Sequence, residues 1–151
     1  MIGYLTQEQS EALLSENIFG HIGCNDGFNT YVYPSNYVYD GKYIYCHSPA
    51  GTRVSVMREN KRVCFQVDIV KSFVNWKSVM VLGQYEELED ERSRYYAMKA
   101  FNDKALQIKI SKDLLSSLAL EKVLHPNLTH NSRPVIYRIS MDEITGRYET
   151  V

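Results

Sequence analysis

The segment best suited to bind an anion is 47–53, which has the sequence His-Ser-Pro-Ala-Gly-Thr-Arg and joins a predicted strand to a predicted helix. Ser48, Thr52 and Arg53 carry hydrogen-bond donors, and Gly51 lets the backbone approach an anion closely. A helix start adds unpaired N–H groups and the positive end of the helix dipole. The segment therefore fits a phosphate site, although a capped helix with a surface arginine fits it equally well.

A second segment, 33–37, has a proline inside a predicted strand. Pro34 has no N–H for the strand ladder, so we expect this strand to lie at a sheet edge or to be locally irregular. The freed backbone groups, with Ser35 and Asn36 beside them, suit a planar heterocycle. The alternative is a β-bulge in a sheet rich in aromatic residues.

A third segment, 76–83, is an apolar strand that begins with polar residues. Lys77 and Ser78 would lie at the rim of the sheet, where their side chains can reach a ligand. The alternative is an ordinary strand that enters the core of a barrel from its polar end.

The histidines and cysteines predict neither a metal site nor a catalytic nucleophile. A zinc site needs a close pair of ligands plus a second pair, and the sequence has neither CxxC nor HxxxH. His21 and Cys24 are three residues apart on a predicted strand, so their side chains face opposite ways. Cys46 and His47 are adjacent and diverge for the same reason. No Gly-x-Ser-x-Gly elbow is present. We therefore expect no metal, and we expect buried thiols and partly exposed imidazoles.

The composition argues against several classes of function. The 151 residues carry a net charge of −1 and a pI of about 6.4, which does not favour a broad basic surface for nucleic acid. No apolar run is long enough to span a bilayer, and the first residues lack the pattern of a signal peptide. Three cysteines at spacings unsuited to disulfides fit a reducing compartment, so we expect a cytoplasmic protein.

Local signals in the first part of the chain predict one helix followed by antiparallel strands. Thr6 can cap a helix that ends at Asn17, with Gln9 as its capping-box partner. A strand is predicted at 18–24, and two hairpin turns follow, Asn-Asp-Gly at 25–27 and Asp-Gly at 40–41. The tyrosines around these turns share strand faces, because they occupy odd positions and side chains alternate along a strand. They are Tyr31, Tyr33, Tyr37, Tyr39, Tyr43 and Tyr45.

The rest of the chain alternates between strands and helices. In chain order we predict a helix at 54–60, strands at 62–68 and 76–88, helices at 90–101 and 111–123, a polar loop at 125–133, a strand at 134–141, and a turn at 142–146 before a short tail. Asp90 can cap the helix that places Tyr95, Met98 and Phe101 on one side. About six strands and three or four short helices predict a single domain over residues 1–151. Its fold class is mainly β, an antiparallel barrel with flanking helices.

Taken in order, the three segments and their neighbours resemble the flavin-binding split-barrel family related to pyridoxamine 5′-phosphate oxidase. The resemblance is closer to the small nitroimidazole-resistance type flavoproteins of that family, and it covers roughly residues 5 to 146. The matching motifs are PSNYVYDGKYIY, CHSPAGTR, RENKRVCFQVD, WKSVMVLGQY and the closing YRISMDEITG.

This resemblance implies a six-stranded antiparallel split barrel that forms a homodimer with two FMN molecules in the clefts between subunits. Arg53 would be the main cation for the flavin phosphate, with Ser48 and Gly51 beside it. The ring and the ribityl chain would be lined by Pro34, Ser35, Asn36 and Tyr37. Lys77 and Ser78 would reach the polar edge of the ring, and His47 would lie near the flavin on the substrate side.

Two departures from the family pattern affect these expectations. Where the family often has a second basic residue just before the position of Arg53, this sequence has Thr52, which predicts weaker binding of the phosphate. The sequence ends soon after Gly146, without the C-terminal extension that helps the larger oxidases bind pyridoxal phosphate. This argues against pyridoxamine phosphate as the substrate.

Two functions of different class follow from the resemblance. The first is an FMN-dependent oxidoreductase acting on a small nitroaromatic or quinone-like acceptor, in which Lys77 stabilises the reduced flavin and His47 donates a proton. The second is a non-catalytic module that binds or senses a flavin. The same fold also hosts haem and deazaflavin, so these cofactors stay open as alternatives.

Overall fold

The first helix begins where the capping box predicts it. The computed structural model describes residues 1–107 and 133–151. In it Thr6 Oγ1 accepts a hydrogen bond from the Gln9 backbone N–H at 3.1 Å, and Gln9 Oε1 accepts one from the Thr6 N–H at 2.9 Å. The helix ends at Asn17, as predicted. Leu13 and Leu14 form its buried face and attach it to the core.

The described residues form nine strands and three helices. In chain order these are β1 (Ile2–Tyr4), α1 (Gln7–Glu16), β2 (Phe19–Asn25), β3 (Thr30–Asn36), β4 (Val38–Tyr39), β5 (Tyr43–Ser48), α2 (Thr52–Glu59), β6 (Arg62–Ser72), β7 (Asn75–Glu87), α3 (Glu91–Gln107), β8 (Val135–Ser140) and β9 (Glu143–Glu149). Gly27 and Gly41 have φ of +99° and +92°, which hairpin turns favour, so both predicted turns are confirmed.

All strand pairs are antiparallel, and the sheet order is β3-β2-β6-β7-β8-β5-β4, with β9 paired to both β7 and β1. The strands at the two ends of this order, β3 and β4, are consecutive in the chain, so the sheet has to curl back on itself. Side chains from the inner face, such as Ile44, Phe65 and Val81, form the core inside the curl. The mainly β, split-barrel fold class is confirmed.

The strand that contains Pro34 lies at the edge of the sheet, as its proline predicts. β3 pairs with β2 on one side and is the last strand of the sheet order. The ladder is interrupted at Tyr37, whose backbone N–H turns to the Ile18 carbonyl at 3.0 Å. Asn36 and Val38 flank this break, so the chain crosses here from one end of the sheet to the other.

The end of the chain differs from the prediction of a turn and a tail. Residues Glu143–Glu149 form a full strand, β9, which pairs with β7 over seven residues and with β1 over three. Backbone pairing rather than apolar content stabilises this strand. Position 146 requires glycine, because a Cβ there would collide with Ser10 Oγ and Leu5. With β1 and the separate short strand β4, this raises the strand number above the six expected.

The third helix buries part of the predicted face, because Phe101 is buried and Met98 packs against the core. Asp90 caps it as expected, since Asp90 Oδ2 accepts from the Ser93 N–H at 2.9 Å, but Tyr95 is exposed. Arg94 is buried instead, because its guanidinium donates to the carbonyls of Leu88 and Pro134 at 3.4 and 3.0 Å. The helix predicted at 111–123 and all but the last residue of the loop predicted at 125–133 lie outside the described residues. No described helix has the length and apolarity needed to cross a membrane.

Candidate functional site

The start of α2 leaves its backbone donors available to a ligand. The helix begins at Thr52 after Gly51, which has an extended backbone (φ 175°), and no side chain in the described part of the chain caps its first turn. Gly51 is exposed, and a Cβ there would meet open space. The unpaired N–H groups and the dipole make this end of the helix electropositive.

Arg53 adds a full positive charge to this helix start. Its guanidinium carbon lies 4.7 Å from the centre of the Tyr33 ring, a cation–π contact between α2 and the edge strand β3. Among residues 1–107 and 133–151, Arg53 forms no ion pair with a carboxylate. The charge of Arg53 opposes the burial-driven rise in the pKa of Cys24, Cys46 and Tyr137, so the guanidinium lies close to these interior groups.

Two of the predicted hydroxyl ligands are buried on the inner side of the curled sheet. Ser35 Oγ donates to the Asn36 carbonyl, and Ser48 Oγ donates to the Pro49 carbonyl, both at 2.8 Å. Ser35 also lies near the thiol of Cys46, whose pKa burial raises to about 12. The structure therefore brings Ser35 and Arg53 together around Cys46 at the gap between β3 and β5, and Ser48 follows on the same inner face of β5.

The Tyr37 side chain belongs to the core and not to a ligand surface. Its ring is fully buried against Phe65, with 5.0 Å between ring centres. Its hydroxyl donates to the Leu14 carbonyl at 2.7 Å, which ties α1 to the sheet. Pro34 and Asn36 beside Tyr37 are exposed at the edge of the sheet.

His47 lies on the opposite face of β5 from Ser48. Its ring packs edge-on against Phe101 of α3, with 5.0 Å between ring centres. Burial lowers the pKa of His47 to about 4, so the imidazole is neutral at pH 7. The near-neutral pKa on which we based its role as a proton donor is therefore wrong.

Lys77 and Ser78 lie on β7, three strands from β3 in the sheet order. Ser78 Oγ donates to Asp68 on the neighbouring strand, and Lys77 is exposed. Ser78 lies on the outer face of β7, because side chains alternate along a strand and its neighbour Val79 is buried in the core, whereas Arg53 lies close to interior groups. Ser78 and Arg53 therefore lie on different faces of the sheet.

Two residues near Arg53 were not predicted as parts of the site. Tyr33 holds the guanidinium, and its odd position among the tyrosines of β3 was the available signal. Tyr137 on β8 lies at the inner side of the site, and nothing in the sequence distinguishes it from other core aromatics. Among the described residues no group of three His, Cys, Asp or Glu side chains could hold a metal ion.

Two cavities lie at the surface of the barrel. One, of about 360 Å³, crosses the outer face of the sheet beside Gly23, Cys64 and Leu82. The other, of about 270 Å³, lies between Trp76 and Tyr148 at the end of the barrel where the chain termini meet. Of the predicted cofactor-binding residues, only Lys77 lines either cavity.

The fold of this chain is shared with solved structures of proteins described as FAD-binding. A family model described as pyridoxamine 5′-phosphate oxidase matches residues 6–148, nearly the whole chain. The chain therefore belongs to the pyridoxamine 5′-phosphate oxidase-like family, which binds flavin.

Three relatives match along most of their length. An uncharacterized protein of Rhizobium meliloti is 24% identical over 143 residues, which are 95% of this chain and 92% of that protein. The crystal structure of a FAD-binding protein from Mesorhizobium loti is 25% identical, with a TM-score of 0.74, over 100% of this chain and 98% of that chain. A candidate 5-nitroimidazole antibiotic resistance protein from Bacteroides thetaiotaomicron shares the fold at 19% identity and a TM-score of 0.72, over 98% and 87% of the two chains.

The buried, neutral His47 makes the stability of the protein depend on pH. Its pKa falls from an ordinary 6.5 to about 4 on folding, so the unfolded chain binds the proton more readily between these values. The contribution of the neutral ring to the free energy of unfolding is complete above pH 6.5 and is lost as the pH falls towards 4. The loss amounts to at most about 3 kcal/mol. We expect the free energy of unfolding to fall more steeply between pH 6.5 and 4.5 in the wild type than in His47→Gln, measured by urea denaturation.

The matched control for this measurement is His21→Gln, which changes an exposed imidazole and should leave the wild-type slope intact. Equal slopes in the wild type and in His47→Gln would show that the imidazole of His47 is hydrated in the folded protein.

Proposed function

We propose that this protein is an FMN-dependent oxidoreductase that acts on a small acceptor of the nitroaromatic or quinone-like class. The observation that carries the proposal is Arg53, a cation without a carboxylate partner among the described residues, at the uncapped start of α2. A single cation beside free backbone N–H groups is what a terminal phosphate needs. Membership of the family supports a flavin as the molecule that carries this phosphate. The relative in Bacteroides, a candidate nitroimidazole resistance protein, supports the acceptor class.

The protein's own groups would place the flavin and shield part of it. Arg53 and the α2 N–H groups would bind the phosphate, and the exposed edge of β3 at Pro34 and Asn36 would offer backbone groups to the ring system. The bound flavin would supply the redox chemistry. Tyr33 fixes the direction of the Arg53 side chain before binding, which lowers the entropy lost when the phosphate arrives.

FMN rather than FAD fits the phosphate site better, even though the Mesorhizobium relative is described as FAD-binding. The terminal phosphate of FMN carries close to two negative charges at neutral pH, whereas each phosphate of the FAD pyrophosphate carries one. With Thr52 in place of a second cation, the helix start and Arg53 gain most from the more highly charged group. A titration with both flavins decides this choice.

A second candidate function is a module that binds flavin without turning over a substrate. The observation in its favour is His47, whose pKa of about 4 and contact with Phe101 remove the proton donor expected from the sequence. Both candidates fit the cytoplasm, because Cys24, Cys46 and Cys64 are all free thiols that a reducing compartment preserves.

Replacing Arg53 tests the phosphate site directly. We expect Arg53→Ala to weaken FMN binding about ten- to a hundredfold, because a charge-assisted hydrogen bond is lost. Riboflavin, which has no phosphate, should bind with nearly unchanged affinity. Arg53→Lys should bind FMN more tightly than Arg53→Ala and less tightly than the wild type, because the charge remains and the planar fork is lost. The measurement is a fluorescence titration of the apoprotein with FMN, FAD and riboflavin.

The control variant is Arg62→Ala, which removes an exposed arginine at the start of β6 and should bind all three flavins as the wild type does. If Arg53→Ala binds FMN as tightly as the wild type, the phosphate site is elsewhere.

We further propose that the flavin site is completed by a second copy of the chain. Arg53 contacts β3, and the pair Lys77–Ser78 lies on β7, three strands away in the sheet order, which supports a second chain as the partner that brings both to one flavin. A homodimer in which the Arg53 region of one subunit faces the Lys77 region of the other would bring them together, as an isologous interface allows. Light scattering of the flavin-loaded protein at micromolar concentration should therefore give the mass of a dimer.

Co-expression of Arg53→Ala with Lys77→Ala tests the shared site. Random pairing should give about one quarter of sites with both side chains intact, so part of the tight FMN binding is restored relative to either variant alone. Separate titrations of each single variant provide the baseline. No restoration, or the mass of a monomer, would contradict the shared site.

Turnover separates the two candidate functions. If the protein is an oxidoreductase, NAD(P)H should bleach the flavin absorbance, and a nitroaromatic or quinone should restore it over repeated cycles. The flavin chemistry then does not depend on the neutral His47, so we expect His47→Gln to keep the cycling rate within about threefold of the wild type. Yellow protein that no pair of reductant and acceptor can cycle would support the binding module.

A further inference from the structure

The hydroxyl group of Tyr137 is a buried polar group without a partner. Tyr137 lies on β8, opposite Cys46 of β5, and its side chain is inaccessible to solvent. Its oxygen has no hydrogen-bond partner among the residues that the structure describes. Buried hydroxyl groups are nearly always hydrogen-bonded, because leaving one unpaired is costly. A phenylalanine would fill the same space without this cost, so the hydroxyl calls for an explanation.

Among the described neighbours of Tyr137, one side chain is well suited to satisfy its oxygen. The ring of Tyr85 packs at 4.9 Å, but the Tyr85 hydroxyl is already bonded to Glu87 at 2.6 Å. The Cys46 thiol opposite is fully buried and is a weak donor. Arg53 is the nearby charged group, and its guanidinium has only donors, which match a hydroxyl oxygen as acceptor.

The guanidinium of Arg53 has enough donors for two tasks at once. Its face is stacked on Tyr33, so its N–H groups point outward from the edge of the plane. The charge of Arg53 acts on Tyr137 and Cys46 in the barrel interior, and Arg53 itself belongs to the first turn of α2. The Arg53 guanidinium acts on Tyr137 both as a nearby charge and as a hydrogen-bonding group, but the Tyr137 oxygen does not meet strict hydrogen-bond geometry with it.

We propose that Tyr137 is a positioning residue of the anion site, whose buried hydroxyl oxygen accepts a hydrogen bond from the inner edge of Arg53 while the outer edge binds the phosphate. The inference rests on the phosphate site proposed above and names the interior group that fixes its cation. Binding of an anion holds Arg53 in one orientation, and Tyr137 lowers the cost of holding it there. The hydroxyl thus contributes to phosphate affinity without touching the ligand.

A double-mutant cycle on the flavin-free protein tests this inference. The quantity measured is the ratio of FMN to riboflavin affinity in the wild type, Tyr137→Phe, Arg53→Ala and the double variant. We expect Tyr137→Phe to lower this ratio roughly three- to tenfold and to leave riboflavin affinity unchanged. In the Arg53→Ala background the same change should have no effect on the ratio. A merely structural role of Tyr137 would lower the affinities for both flavins together.

The matched control is Tyr85→Phe, which removes the hydroxyl of the neighbouring ring and should not alter the ratio. A second probe that needs no flavin is inorganic phosphate, which should raise the unfolding temperature of the wild type more than that of Tyr137→Phe. If Arg53→Ala lowers the ratio and Tyr137→Phe does not, the role of Tyr137 is refuted while the phosphate site stands. If neither variant lowers the ratio, the phosphate site and the role of Tyr137 are both refuted.

Discussion

The crossing of the chain at Tyr37 is the constraint on which the site depends. β3 and β4 are consecutive in the chain but lie at opposite ends of the sheet order, so the sheet must curl until its ends meet. The hydrogen bond from the Tyr37 hydroxyl to the Leu14 carbonyl fixes this crossing to α1 inside the core. The curl brings Ser35 of β3 near Cys46 of β5, and the helix that follows β5 then starts at the gap between them.

Burial inside the curled sheet disfavours charged forms of the side chains there. Desolvation raises the pKa of Cys46 to about 12 and the pKa of Tyr137 well above its ordinary value, so both stay protonated at neutral pH. Arg53 lies half-buried at the rim, where the Tyr33 ring covers the face of its guanidinium. The proposed anion site therefore lies at the rim, and the interior contributes neutral dipoles and shape.

Short-range signals made much of the fold predictable. Thr6 with Gln9, and the glycines at 27 and 41, specify local geometry through backbone hydrogen bonds and positive φ, which need no knowledge of the rest of the chain. β9 was missed because its pairing with β7 and β1 comes from partners far away in the sequence, while its own residues are mostly polar. The buried face of α3 was predicted only in part. Phe101 is buried as expected, but Arg94 is buried where Tyr95 was expected, because two carbonyl acceptors that only the tertiary structure supplies bind its guanidinium.

The candidate site shows the same division between local and distant causes. The segment from Ser48 to Arg53 was predictable because a strand end, a glycine and a helix start follow each other directly in the chain. The face of His47 was predictable too, since alternation along β5 places it opposite Ser48, but its pKa was not, because the desolvating contact is Phe101 on a distant helix. Tyr137 lies 84 positions along the chain from Arg53 and became visible only through its unpaired oxygen.

These protonation states also restrict how such a site can support redox chemistry. His47 is neutral and faces α3, while Cys46 and Tyr137 hold their protons far above pH 7. None of these three side chains can therefore exchange a proton readily at neutral pH. A reaction that requires a proton has to take it from solvent or from a group outside this set, a second subunit included. The scaffold consequently favours chemistry in which the protein contributes placement and electrostatics, and it leaves reactivity to what it binds.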